Sequence, residues 1–289
     1  MDGLYSCIIA ISMYSKFPMP TVEWTQKRMG HVMCFFPVVG ILEGAVMGLW
    51  LYAGLGVLDL ALPVTALVAA AIPILVTGGI HMDGFVDTMD AIHSYGSREK
   101  KLEIMKDPHV GAFAVISLAV YMLIYVAVIY EYVVLLSAAG KSDRLFLCGM
   151  PAMIFVMERA FSGLSVVTFP AAKQDGLAAG FARAARKRTE RLILVLWLAL
   201  CAIIGLTCSI LGSRRVNYGT DVWRTAGAGC LAVTLLLVFL VIFIWYYRRS
   251  KKEFGGVTGD LAGCFLQICE VSGFAAMVIL LKSGAIGGM

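Results

Sequence analysis

Long apolar runs alternate with short polar connections along the whole chain. A helix needs about 20 predominantly apolar residues to cross the hydrocarbon core of a bilayer. Seven runs reach or approach that length, at about 31–57, 64–80, 110–137, 145–169, 192–211, 226–247 and 261–281. Ahead of them lies a shorter apolar stretch, Leu4 to Tyr14, followed by Lys16-Phe17-Pro18-Met19-Pro20. It is too short to span and reads as a helix resting at the interface. With no basic flank before it, it does not read as a cleavable signal. The pattern therefore predicts an all-α, polytopic integral membrane protein with about seven transmembrane helices and a short N-terminal interfacial helix. Residues 1–289 are expected to form a single membrane-embedded domain.

Composition agrees with this pattern and narrows it. The chain is 60% hydrophobic and only 15% charged, which excludes an ordinary soluble domain. Its net charge of +5 mainly reports orientation, and no basic stripe with interleaved aromatics marks a nucleic-acid partner. In the seven-span arrangement, 17 of the 24 lysines and arginines fall on one side and six on the other, with Arg159 inside a span. The basic excess places the amino terminus and the connection after the second span in the cytoplasm. Membrane lipid is the expected surrounding partner, and a homo-oligomer is compatible with the pattern. The eight cysteines lack C-x-x-C spacing and read as free thiols, mostly within apolar runs.

That cytoplasmic connection carries the densest chemistry. It reads TGGIHMDGFVDTMDAIHSYGSREKKLEIMKDPHVG from Thr77 to Gly111. Asp83, Asp87 and Asp90 stand at i, i+4 and i+7, so a helix puts all three carboxylates on one face. Three anions over two turns repel one another, and a hard divalent cation, Mg²⁺ or Mn²⁺, relieves this. The alternative is a solvated acidic face at a helix end, with Asp83 as a cap. Asp107 closes the set from the following loop, although an Asp before Pro is commonly a turn residue.

Arg98, Lys100, Lys101 and Lys106 lie within reach of these acids. Topology alone accounts for Lys100. Arg98, Lys101 and Lys106 are candidates to neutralise a phosphorylated substrate. His81, His93 and His109 flank the acids as candidate bases or phosphate contacts, or as plain loop histidines. A second polar stretch, Gly255-Gly256-Val257-Thr258-Gly259-Asp260, opens the last span on the same side. Its glycines and helix-start amides suit a phosphate, and a capped helix explains it equally well. Glu43, Glu158, Arg159 and Glu270 are ionisable groups inside spans, which points to a path or binding role. Because i and i+1 diverge on a helix, Glu158 and Arg159 are expected to have different partners.

The runs TGGIHMDGFVDTMDAI, KKLEIMKDPHVGAFAV, FPVVGILEGA and GGVTGDLAG, on this hydropathy pattern, resemble the cobalamin synthase family. These enzymes are also called adenosylcobinamide-GDP ribazoletransferases. The resemblance covers most of the chain. It implies a Mg²⁺-dependent transferase of the bacterial or archaeal inner membrane, working in cobalamin biosynthesis with its active site facing the cytoplasm. The implied reaction moves the adenosylcobinamide phosphate group from adenosylcobinamide-GDP to α-ribazole or α-ribazole 5′-phosphate and releases GMP. On this reading Asp83, Asp87, Asp90, Asp107 and Asp260 are metal ligands, and one carboxylate or His109 takes the hydroxyl proton. Arg98, Lys101, Lys106, Arg159, Gly255, Gly256 and Thr258 bind substrate. Two stretches depart from the family pattern: Ala91-Ile92-His93-Ser94 replaces a glycine-rich run, and Pro108-His109 replaces a common Ser-Arg pair. A membrane prenyltransferase would pair two similar acidic motifs, and a CDP-alcohol phosphotransferase would carry Ala-Arg where Asp87-Thr88 stands. A cation transporter would instead use Glu43, Glu158 and Glu270.

Overall fold

The computed structural model describes residues 2–172, 176–213 and 222–283. Thirteen helices occur among them: α1 (Asp2–Tyr14), α2 (Gln26–Met29), α3 (Phe36–Gly56), α4 (Leu62–Thr77), α5 (Ile80–His93), α6 (Arg98–Ile104), α7 (Ala112–Ala138), α8 (Lys141–Gly149), α9 (Pro151–Thr168), α10 (Leu177–Ala184), α11 (Lys187–Ser213), α12 (Val222–Phe254) and α13 (Gly259–Lys282). A 3₁₀ turn, Val32–Phe35, leads into α3. No β-strand forms among the described residues, where a single parallel bridge joins Ala171 to Val257. Lys173, Arg214 and Arg215, all part of the orientation count, lie outside the described residues, as does most of the long connection before α12.

Six helical segments are long and apolar enough to cross a membrane, and α4 with α5 makes a bent pair that raises the number to seven when counted as one span. The chain is a multi-pass membrane protein. α1 has 13 residues and stays below spanning length, as expected of the leading segment. The second expected span differs from its sequence reading. α4 stops at Thr77 after 16 residues, about 24 Å at 1.5 Å per residue, and α5 departs at 93°. Gly78 and Gly79 cause the break, with φ of 67° and 82° in succession, a left-handed backbone that glycine adopts without a Cβ clash. The turn is pinned from outside, because the Lys16 amide donates to the Val76 carbonyl at 2.8 Å. α5 thus lies across the direction of α4 and does not continue its crossing.

Two close approaches set the remaining geometry. Gly40, Gly44 and Gly48 form a small-residue stripe on α3 that meets the backbone of Phe155, Ala152 and Cys148 with no room for a Cβ. Likewise a Cβ at Gly84 would lie 2.7 Å from the Asp260 carbonyl, and one at Gly263 would lie 2.9 Å from that of His81. α5 therefore crosses the first turns of α13 with their backbones nearly touching. Phe274 on α13 packs edge-on against Tyr125 and Tyr132 of α7 and Phe155 of α9, which gathers these helices into one core.

Arg159 and its acids lie inside this core. The guanidinium holds Glu43 Oε2 at 2.6 Å through Nη2 and Glu158 Oε1 at 2.7 Å through Nη1, with no side chain of the three exposed. Glu158 and Arg159 therefore do pair, contrary to the divergence of adjacent helix positions. The rule concerns Cβ directions, and the long guanidinium stem folds back past it. Glu270 is also buried, and neither of its oxygens has a hydrogen-bond partner.

Candidate functional site

The α5–α13 crossing opens a cavity of about 460 Å³, bordered by Asp83, Lys106, Thr258 and Asp260 on its polar side and by Tyr14 and Phe36 on its apolar side. α5 spans Ile80–His93 without interruption, so Asp83, Asp87 and Asp90 do share one helical face. Asp83 is exposed, and Asp87 and Asp90 are half-buried. Burial pushes the Asp87 carboxyl up to about 6, reinforced by the charges of Asp83, Asp260 and Asp90. That perturbation places the α13 acid and the α5 acids in one electrostatic cluster. Their donors are all carboxylate oxygens with excess negative charge, which fits a hard divalent cation such as Mg²⁺.

The start of α13 is rigidly presented. Thr258 is its N-cap, accepting from the Leu261 amide at 3.2 Å and donating to Asp260 Oδ2 at 3.4 Å. The preceding loop is held in place, because the Val257 amide donates to Pro170 and the Ala172 amide donates to Val257, both at 2.9 Å. Gly256 lies in this contact, against Pro170 and Ala171, and Gly255 lies beside the Arg98 guanidinium.

The basic candidates divide by position. Lys106 borders the cavity. Arg98 donates from Nε and Nη2 to the carbonyls of Lys252 and Lys251, each at 3.2 Å, and so closes the C-terminal end of α12. Lys101 is buried and pairs with Glu253 at 2.5 Å. Both residues hold α6 against α12 beside the Gly255 loop. Arg159 is engaged with Glu43 and Glu158 in the core and does not border the cavity.

Asp107 and His109 stand on an exposed loop and bond each other, with Nδ1 of the ring donating to Oδ1 at 2.7 Å. The His109 amide and ring hold the Asp107 carboxyl below the usual carboxylate range. Neither borders the cavity. The Asp90 carboxylate lies against Gly111, at the end of this loop.

His81 occupies a more telling position than the sequence suggested. It borders the cavity, is buried beside the paired rings of Tyr14 and Phe36, and has no hydrogen-bond partner at either nitrogen. Tyr14 and Phe36 were not evident as cavity residues, because they lie far upstream in apolar runs. Their only sequence signal is that both sit at the membrane-boundary end of a helix.

Comparison with known proteins identifies the family. The family model for cobalamin-5-phosphate synthase matches residues 6–278. A protein of Lachnoclostridium phytofermentans named adenosylcobinamide-GDP ribazoletransferase is 41% identical over 286 residues, covering 99% of this chain and 97% of its own. Proteins of the same name from Clostridium perfringens strain 13 and Pseudomonas entomophila are each 29% identical, covering 97% and 94% of this chain and 100% and 98% of their own. No solved structure matches the chain. With the match running through nearly every helix described above, the chain belongs to the cobalamin-5-phosphate synthase family.

Proposed function

We propose that this chain is an adenosylcobinamide-GDP ribazoletransferase. It transfers the adenosylcobinamide phosphate group to the ribose hydroxyl of α-ribazole, or of its 5′-phosphate, and releases GMP. The observation that carries the reading is the cavity at the α5–α13 crossing, where carboxylates from two helices meet Lys106 and a helix N-terminus. We place the protein in the cell's inner (cytoplasmic) membrane on its family membership, with this cavity facing the cytoplasm on the asymmetry of its basic residues.

Asp83, Asp87, Asp90 and Asp260 would hold Mg²⁺. When bound, the ion withdraws charge from the pyrophosphate oxygens and stabilises GMP as it leaves. The chain's own residues do the rest. Lys106 supplies a fixed positive charge for the phosphates, and the Thr258 hydroxyl and first-turn amides of α13 supply donors. The apolar wall of Tyr14 and Phe36 keeps water from that side of the reacting phosphorus. The proton of the attacking hydroxyl passes to one of the cluster's carboxylates, since His109, the other candidate, stands outside the cavity.

The test is GMP release by the purified protein supplied with adenosylcobinamide-GDP and α-ribazole, with and without Mg²⁺. Release that needs Mg²⁺ is expected. No release with Mg²⁺ present would overturn the proposal.

A further inference from the structure

A second cluster lies where the 3₁₀ turn before α3 meets α11. His31 precedes the 3₁₀ turn, Cys34 stands on it, and Glu190 sits in the first turn of α11. An imidazole nitrogen, the Cys34 sulfur and a Glu190 oxygen all fall within 4.8 Å of one another. Glu190 is wholly buried, and neither of its oxygens has a hydrogen-bond partner. A carboxylate in that state is costly, since burial removes its hydration and nothing replaces it. The surroundings hold the cluster together. The Trp197 indole donates to the Cys34 carbonyl at 3.0 Å, and the Arg186 amide donates to the Gly30 carbonyl at 3.4 Å.

We infer that His31, Cys34 and Glu190 form a binding site for a borderline transition-metal dication of the Zn²⁺ class. The donor set decides the class. A thiolate excludes a hard ion such as Mg²⁺, whereas one sulfur, one imidazole and one carboxylate suit Zn²⁺. Charge also balances, because a dication with one thiolate and one carboxylate is neutral overall. The adjoining cavity is close to neutral as well, since Asp2 pairs with Lys27 at 2.6 Å and leaves Arg186 as the further charge on its lining. His31 and Cys34 border this cavity of about 640 Å³ as well, so a fourth position stays open to water. Binding releases the Cys34 thiol proton, and any proton on Glu190, to solvent. The ion clips the start of α3 to the start of α11, two segments far apart in the chain. This inference is independent of the proposed transferase reaction and of its Mg²⁺.

Cobalt serves as the probe, because Co²⁺ occupies Zn²⁺ sites and its thiolate bond absorbs in the near ultraviolet. Full-length protein in detergent is stripped with a chelator and titrated with Co²⁺. A saturable near-ultraviolet band is expected, lost in Cys34→Ser and retained in Asp83→Asn. Zn²⁺ is expected to bleach the band and to raise the unfolding temperature of the wild type but not of Glu190→Gln. Absence of the band in the stripped wild type would overturn the inference, as would its persistence in Cys34→Ser. An unfolding temperature that Zn²⁺ leaves unchanged would overturn the clip.

Discussion

Arg159 Nη2 and Glu43 Oε2 meet at 2.6 Å with neither side chain exposed, joining α9 to α3 at the centre of the molecule. The same guanidinium holds Glu158 on its other side. Removing the only cation of this group leaves buried carboxylates uncompensated, a change that costs about 3–5 kcal/mol. Arg159→Met is therefore expected to lower folded yield and unfolding temperature sharply, with Glu43→Gln milder because it leaves Glu158 in place. Thermal unfolding in detergent checks this. If Arg159→Met folded normally and lost only substrate affinity, the residue would be a ligand contact and not a core strut.

Asp83→Asn and Asp260→Asn should separate activity from stability. Each removes a carboxylate from a crowded cluster, so without divalent ions the unfolding temperature should stay level or rise. Transferase activity should fall on the order of 100-fold or more, since transition-state charge stabilisation is lost. Any stabilisation of the wild type by Mg²⁺ should be weakened in both variants. Paired GMP-release and unfolding measurements, with and without Mg²⁺, read all three effects.

Gly84→Val tests whether the crossing itself matters. The added side chain has to displace the Asp260 backbone, which stands 2.7 to 2.8 Å from a Cβ built there. Overpacking of this kind costs about 1–3 kcal/mol, while a shift of about 1 Å between reacting groups costs up to about 100-fold in rate. Activity is expected to fall well before the protein fails to fold, as seen by kcat measured on material that still elutes as a single folded species.

Lys101 and Glu253 pair at 2.5 Å where α6 meets the end of α12. A structural pair predicts that Lys101→Met and Glu253→Gln are each destabilising and that the double variant loses less than the sum, with a coupling of about 0.5–3 kcal/mol. A substrate-binding lysine predicts a raised KM in Lys101→Met that Glu253→Gln does not repair. A double-mutant cycle on unfolding free energy and KM distinguishes the two.

The spans were legible because seven apolar runs leave few other ways to satisfy the backbone in lipid. The α5 acids were legible because their spacing matches the helical period. What escaped followed from geometry that spacing does not encode. Gly78-Gly79 appeared as the end of a span, but its two left-handed residues turn the chain through 93°. Lys101 and Arg159 looked like substrate contacts because they are basic and near the acids in sequence or depth, yet each already faces a carboxylate. The His31, Cys34 and Glu190 grouping joins residues too distant in the chain for any motif to reveal.

The Arg159 cluster also bears on how the protein is made. A charge near the middle of a helix adds about 2.5–3.5 kcal/mol to membrane insertion, and α9 carries Glu158 beside Arg159 in the least apolar of the spanning segments. Its counter-charge, Glu43, leaves the ribosome earlier on α3, and Glu270 follows last on α13. α9 thus enters the bilayer as a client of α3, whose glycine stripe and buried acid wait for it. The charges that hold the finished core together also set the order in which its helices can be laid down.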